Sequence, residues 1–266
     1  MIELDHIYNM DCLVGMQMIA DRTVDAVICD LPYGVLNKDN PNAQWDSLIP
    51  LEPLWKQYKR IIKDNGAIVL FCQGMFTAQL MMSQPKLWRY NLIWYKCRST
   101  GFLNANRMPL RNHEDIAVFY KSLPVYNPQK TIGEPIHPRR SNNNKEINNC
   151  YGKYKRGRTY DYDKQMKEVL PTQSAQKFPE SVICIKKEHK KPVLHPTQKP
   201  LDLLRYLVLT YTNPGDVILD NACGSGTACL AAALEHRHYI GFETNKEYFD
   251  KAVKRINDDT RQLKLF

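Results

Sequence analysis

A doubly wound, mostly parallel α/β sheet with helices on both faces is the fold that the sequence predicts, and three observations predict it. Short apolar runs alternate with helical stretches over residues 1–121 and again from about residue 193 onward. Two of those runs end in aspartate (Asp30 and Asp220) and a third ends in Glu243. In an open α/β sheet such strand ends form the carboxyl edge, where ligands bind. Between the two regular regions, over residues 122–192, the strand–helix rhythm stops. The chain is therefore read as a front part (1–121), an insertion (122–192) and a rear part (193–266).

Composition narrows the class. A 266-residue chain with a 43% hydrophobic fraction can bury one large core. No apolar run is long enough to span a bilayer. The start, Met1–Asp5, is acidic and lacks the basic segment of a signal peptide, so none is expected, and the cysteine usage points to a cytoplasmic setting. Eight cysteines without a CxxC pair read as reduced thiols, mostly buried. His236 and His238 have no cysteine partners nearby in sequence, and no metal site is expected. The net charge of +9 lies in one place: Lys121–Pro192 holds 16 Lys/Arg against 7 Asp/Glu, and the rest of the chain balances. A neutral body with one basic segment suits a polyanionic partner.

The elements follow in order. Ile7–Cys12 reads as a short strand or turn, and Leu13–Ala20 as a helix with Asp11 in the N-cap place. Val24–Cys29 is a buried strand that delivers Asp30-Leu31-Pro32-Tyr33 and then Gly34. Val35–Ser47 is a polar loop over that strand end, and Trp45-Asp46 is read as its anchor, with substrate contact as the alternative. Apolar residues at Leu51, Leu54, Trp55, Tyr58, Ile61 and Ile62 give a helix one buried face, and Asp64-Asn65-Gly66 ends it. Ala67–Cys72 is a second buried strand. Met75–Ser83 is a helix with Met81-Met82 in the core, and Trp88–Lys96 and Glu114–Lys121 are two more strands. Their connection is polar and basic, and its Arg107 and Arg111 are expected to line a nucleic-acid groove.

In the insertion, Arg139-Arg140 precede Tyr151-Gly152-Lys153-Tyr154-Lys155-Arg156-Gly157-Arg158. Basic residues interleaved with tyrosines suit phosphate neutralisation and base or sugar contact, so Lys153, Lys155, Arg156 and Arg158 are candidate nucleic-acid residues. The rear part opens with His195-Pro196-Thr197-Gln198-Lys199-Pro200 before a helix over Leu201–Tyr211. Val217–Leu219 is a strand ending at Asp220, and Gly224-Ser225-Gly226-Thr227 begins an alanine-rich helix. His238–Phe242 is the next strand, and Asn245 caps a last helix with Ala252, Val253 and Ile256 inward. Glycines at a helix start let backbone approach a ligand, and an acid at the tip of the following strand suits a ribose diol. A dinucleotide site fits that unit almost as well, although Cys229 stands where the third fingerprint glycine belongs.

Taken in order, Asp30-Leu31-Pro32-Tyr33, the basic insertion, His195–Pro200 and Asp220–Thr227 resemble the β-class amino-methyltransferases of DNA, in which the catalytic motif precedes the cofactor motif. The resemblance covers nearly the whole chain apart from the insertion. It implies a methyltransferase fold with a catalytic half, a target-recognition insertion and a cofactor-binding half. It implies S-adenosylmethionine as donor, an exocyclic amine of a DNA base as acceptor, a homodimer and a restriction–modification setting. Catalytic roles fall on Asp30, Leu31 through its carbonyl, Pro32 and Tyr33, which would stack on a flipped base. Cofactor contacts fall on Asp11 and Cys12 near the adenine ring, Thr197 and Lys199 near the donor's carboxylate, Asp220, Gly224, Gly226, and Glu243 on the ribose. The family usually has proline at the position of Leu31 and Pro-Phe at that of Asn221-Ala222. An aspartate at the first motif position favours adenine N6. Cytosine N4, an RNA base, and a non-catalytic DNA-binding protein are the alternatives.

Overall fold

The computed structural model describes residues 2–34, 46–132, 147–149, 152–154, 176–186 and 198–261. In chain order the elements are β1 (His6–Tyr8), α1 (Cys12–Gln17), β2 (Val24–Asp30), α2 (Leu51–Ile61), β3 (Ile62–Cys72), α3 (Met75–Ser83), β4 (Trp88–Thr100) and β5 (Arg111–Phe119). The short strands β6 (Thr131–Ile132), β7 (Ile147–Asn149), β8 (Gly152–Tyr154), β9 (Gln176–Lys177) and β10 (Val182–Cys184) come next. Then follow α4 (Leu201–Tyr211), β11 (Val217–Asp220), α5 (Thr227–Leu234), β12 (His238–Phe242) and α6 (Lys246–Arg261).

Eight strands form one sheet in the order β1-β12-β11-β2-β3-β5-β4-β10. Five of them, β1 through β3 in that order, run parallel, and β5 is antiparallel to both β3 and β4. The central strands are apolar on both faces, as burial under two helical layers requires. Alternation then decides which residue meets which layer. Ala26, Ile28, Val69 and Phe71 face a core built with Leu203, Leu207, Leu230 and Ile256 from α4, α5 and α6. Val27, Cys29, Leu70 and Cys72 face the opposite core, built with Met16, Trp55, Tyr58 and Leu80 from α1, α2 and α3. This is the doubly wound mostly parallel sheet that the sequence predicts.

Three local departures have physical reasons. Helix α2 stops at Ile61, before Asp64-Asn65-Gly66, because Ile62 is already extended and pairs with Val24. The ladder then skips to Ala26–Ala67, so residues 63–66 form a bulge. Met82 is not in the core but 75% exposed, since α3 buries Phe76, Thr77 and Leu80 instead. Val182–Cys184, inside the basic stretch, is an edge strand parallel to β4.

The chain forms two compact units, Met1–Asn127 with Glu180–Phe266, and Pro128–Pro179. The second pairs β6 with β9 and β7 with β8, both antiparallel. Among the described residues no helix is long and apolar enough to cross a membrane, no cluster of metal-ligating side chains occurs, and all seven cysteines are free.

Candidate active site

Strands β2 and β11 are neighbours in the sheet and parallel, with Ala26 opposite Ile218 and Val27 opposite Leu219. Asp30 and Asp220 therefore leave the same edge on adjacent strands. The next strand outward, β12, delivers Glu243, and β1 beyond it leads into Asp11 and Cys12. One sheet edge thus gathers the front motif and the rear glycine turn.

The rear part is a closed hydrogen-bonded turn. Glu243 accepts Gly224 N–H on Oε2 at 2.8 Å and Asn245 N–H on Oε1 at 2.8 Å. Burial lifts its carboxyl above the usual range, with these N–H donors acting the other way. Gly226 has φ +70°, and a Cβ there would lie 3.1 Å from Ala252 Cβ, so a side chain at the turn into α5 would be strained. Asp220 is buried and accepts Ala222 N–H at 3.3 Å. Burial pushes its carboxyl up to about 7; the Cys29 thiol and Ala222 N–H oppose that, and the charges of Asp30 and Glu243 add to it.

The turn is tied to the chain's beginning. Glu243 N–H donates to the Tyr8 carbonyl at 3.0 Å, and Asn9 Nδ2 donates to the Glu243 carbonyl at 2.8 Å. Asp11 caps α1 through Oδ1, which accepts from Leu13 and Val14 N–H at 2.8 and 3.2 Å. Cys12 is buried and accepts from Asn221 Nδ2 at 3.7 Å. Asn221 Oδ1 in turn accepts the buried Tyr58 hydroxyl at 2.5 Å.

The front part is electrostatic. Tyr33 Oη donates to Asp30 Oδ1 at 2.9 Å, and the Lys199 ammonium donates to Asp30 Oδ2. Lys199 Nζ also lies 3.3 Å from Glu114 Oε2, and Glu114 Oε1 pairs with Lys96 Nζ at 2.5 Å. Two lysines and two acids thus alternate as a largely buried neutral chain, Lys96–Glu114–Lys199–Asp30. Glu114 thus meets one lysine at each carboxylate oxygen. Burial raises the Asp30 carboxyl above the usual range; Lys199 opposes the rise and the Glu114 charge reinforces it. For Glu114 burial acts upward too, but Lys199 and Lys96 outweigh it and hold the group low. Lys199 is raised despite burial, because Asp30 and Glu114 both stabilise its charge.

Leu31 is buried, and the Tyr33 ring packs against Phe76 with centroids 5.2 Å apart. Buried Asp46 accepts both Tyr33 N–H at 2.8 Å and Gly34 N–H at 3.0 Å on Oδ1; Trp45 and the rest of the expected loop, 35–45, lie outside the described residues. Gly34 sits at φ +67°, where a Cβ would strike Leu48 Cγ at 2.7 Å.

Asp11, Cys12, Asp30, Leu31, Pro32, Tyr33, Lys199, Asp220, Gly224, Gly226 and Glu243 all belong to this edge, although the Lys199 ammonium engages Asp30 and Glu114. Arg107, on the β4–β5 connection, and Arg111, the first residue of β5, are both exposed. Thr197, Arg139, Arg140, Lys155, Arg156 and Arg158 lie outside the described residues, and Lys153 falls in β8, described in its backbone only. Sequence reasoning missed Glu114 and Lys96. The available signal was a pair of acids, Glu114-Asp115, opening the buried run Ile116–Phe119, at the start of a strand where Asp30 stands at the end of one.

Several known proteins resemble this chain. Type II methyltransferase M.BglII of Bacillus subtilis is 27% identical over 96% of this chain and 70% of its own length. Type II methyltransferase M.HpaI of Haemophilus parainfluenzae is 25% identical over 94% of this chain and 73% of its own length. The fold is shared with the M1.HpyAVI–SAM complex, at TM-score 0.59 and 24% identity over 95% of this chain and 98% of that one. It is also shared with the PvuII cytosine-N4-specific DNA methyltransferase, at TM-score 0.62 and 14% identity over 96% and 91% of the two chains. The family model for N6/N4 DNA methylases matches residues 24–254. Spanning both the Asp30 strand end and the Glu243 turn, that match covers most of the sequence, and the chain belongs to the N6/N4 DNA methylase family.

Proposed function

We propose that this DNA methylase transfers a methyl group from S-adenosylmethionine to the exocyclic N6 of adenine in DNA. The observation that carries the reading is the common edge of β2 and β11. An acid and an aromatic ring on one strand end stand beside a glycine turn on the next.

The donor fits the residues present. Glu243 holds the turn with one lone pair of each oxygen, and a carboxylate offers about four acceptor sites, so both oxygens keep capacity for a ribose diol. Among the described residues, Gln198 Oε1, beside Lys199 in sequence, is a buried acceptor without a hydrogen-bond partner, which suits a polar ligand group. Bound there, S-adenosylmethionine supplies an electrophilic methyl group on a sulfonium.

The chain's own residues prepare the acceptor. The lone pair of an aromatic amine is delocalised into the ring. Asp30 accepts one amine N–H and the Leu31 carbonyl accepts the other, which draws the nitrogen toward tetrahedral geometry and frees the lone pair. Lys199 and Tyr33 each use one acceptor site of Asp30, which leaves sites for the amine. Lys199 also fixes the carboxylate's direction, so catalysis rests on orientation and preorganised charge. The Tyr33 ring stacks on the extruded base, a contact worth about 1–3 kcal/mol. Glu243, Gly224, Gly226, Asp220, Asp11 and Cys12 line the donor side, and the reading gives Thr197 a contact to the donor's carboxylate. The basic residues of 122–192, with Arg107 and Arg111, neutralise phosphates. The reading includes a cytoplasmic homodimer, which sedimentation analysis tests.

Labelled methyl transfer to DNA, followed by digestion to nucleosides and mass spectrometry, tests it. N6-methyladenine is expected; N4-methylcytosine would move the substrate to the other base of the family. Asp30→Ala is expected to lose transfer while still binding the donor, and full activity in that variant would refute the role given to Asp30.

A further inference from the structure

The β4–β5 connection has an apolar tip set in a basic frame. Thr100 pairs with Arg111, and between them Gly101, at φ +92°, turns the chain into a 3-10 helix over Phe102–Asn104. The connection is not loose. Asn104 N–H donates to the Gly101 carbonyl at 2.9 Å, Ala105 to Phe102 at 3.0 Å, and Arg107 and Met108 both to Asn104 at 2.9 and 3.0 Å. This hydrogen-bonded turn holds its largest apolar side chains in water: Leu103 is 100% exposed, Phe102 78% and Met108 56%. Single exposed apolar residues need no explanation, but a hydrogen-bonded turn that presents the adjacent Phe102 and Leu103, with Met108 exposed further along it, marks an interaction surface. Between Cys97 and His113 the sequence has three arginines and no acidic residue. The surface therefore favours a partner that is both polyanionic and apolar inside, and stacked nucleic-acid bases behind phosphates have that chemistry.

The position matches. β5 is antiparallel to β3, so its beginning lies at the same carboxyl edge as Asp30. Glu114, in that first half of β5, touches Lys199, which touches Asp30. Arg111 lies three residues further out, so at about 3.4 Å per residue the tip starts about 10 Å from Glu114. A base that enters the Asp30 site must leave the duplex and opens a gap in the stack. Apolar side chains inserted between base steps are a known means of filling or forcing such gaps.

We propose that Phe102 and Leu103 form a wedge that enters the DNA stack and occupies the place of the extruded target base, with Arg107 and Arg111 on the flanking phosphates. The inference rests on the methyltransferase reading above. The wedge acts on extrusion and not on the methyl-transfer step, and this separates it from the residues at Asp30.

The experiment uses the full chain with both substitutions, Phe102→Ala and Leu103→Ala, and duplexes that carry the site found by sequencing DNA methylated by the wild-type protein. One duplex carries 2-aminopurine at the target position, and another carries a mismatch opposite the target base. The double variant is expected to lose most of the 2-aminopurine fluorescence rise and at least tenfold in kcat/KM on matched DNA. On the mismatched duplex, where pairing no longer resists extrusion, its rate is expected within about threefold of wild type. Donor affinity stays within twofold, and Phe102→Trp retains extrusion. Extrusion and kcat/KM unchanged in the double variant would overturn the wedge. So would an equal loss on matched and mismatched DNA, or a change confined to self-association, which would make the tip a contact between copies. Wild-type protein that transfers no methyl group to any DNA would instead overturn the reading on which the wedge rests.

Discussion

Replacing Glu114 with Gln removes one charge from the Lys96–Glu114–Lys199–Asp30 chain and leaves a buried excess of one positive charge. At 3.3 Å the Lys199–Glu114 attraction amounts to about 5 kcal/mol with an effective dielectric of about 20, before desolvation is counted. The desolvation of Glu114 offsets much of it. What remains after losing one partner of a buried pair is about 3–5 kcal/mol, mostly the penalty of the lysines left behind. Urea unfolding of Glu114→Gln should show a loss of that order. The double variant Glu114→Gln/Lys96→Met removes one charge of each sign and should recover at least half of it. A second readout separates charge from packing. The Glu114 charge raises the Asp30 carboxyl, so its removal should move the acid limb of the methylation pH profile to lower pH. Lys199→Met should move that limb to higher pH, because Lys199 opposes the rise. A Glu114→Gln protein within about 0.5 kcal/mol of wild type, with an unmoved acid limb, would refute the reasoning.

Further outcomes follow from neighbouring groups. Asp220 has a folded value of about 7 against an ordinary 3.8, so its contribution to folding is complete below 3.8 and is lost as pH rises through about 7. Asp220→Asn should therefore gain stability over wild type between pH 6 and 8, with a ceiling of about 4 kcal/mol at about 1.36 kcal/mol per pH unit. Thermal unfolding at the two pH values checks it, and a pH-independent difference would count against a buried ionising Asp220. Tyr58→Phe leaves the buried Asn221 Oδ1 without its 2.5 Å donor and should cost about 1–3 kcal/mol in urea unfolding. Glu243→Gln sets an amide N–H₂ against one of the two backbone N–H donors. Calorimetry with S-adenosylmethionine should show at least about tenfold weaker binding, equivalent to 1.4 kcal/mol, and an unchanged affinity would remove Glu243 from the site.

The fold was readable where local pattern and tertiary burial agree. Val24–Asp30, Met75–Ser83 and Leu201–Tyr211 have the bounds their apolar spacing suggests, and the Asn245 cap forms, accepting Glu247 and Tyr248 N–H on Oδ1 at 3.0 and 3.1 Å. The end of α2 was not readable, because the pairing of Ile62 with Val24, across the sheet, overrides the turn signal of Asp64-Asn65-Gly66. Val182–Cys184 was not readable either: three residues carry no period, and their partner β4 lies far away in sequence. In the site, Asp30 and Glu243 announce themselves as acids after apolar runs. The Glu114–Lys199 link joins β5 to a segment near α4, and no spacing rule reaches across such a separation.

Strand β2 has β3 on one side, close in sequence, but its other neighbour, β11, belongs to the rear part. Roughly 190 residues separate Ala26 from Ile218, so at about 5–20 residues per second the apolar flank of β2 leaves the ribosome about 10–40 s before its partner exists. For that interval the nascent protein exposes an unpaired hydrophobic strand, a template for misassociation. Slow translation of the intervening segment should lower soluble yield, and chaperone supply during synthesis should restore it.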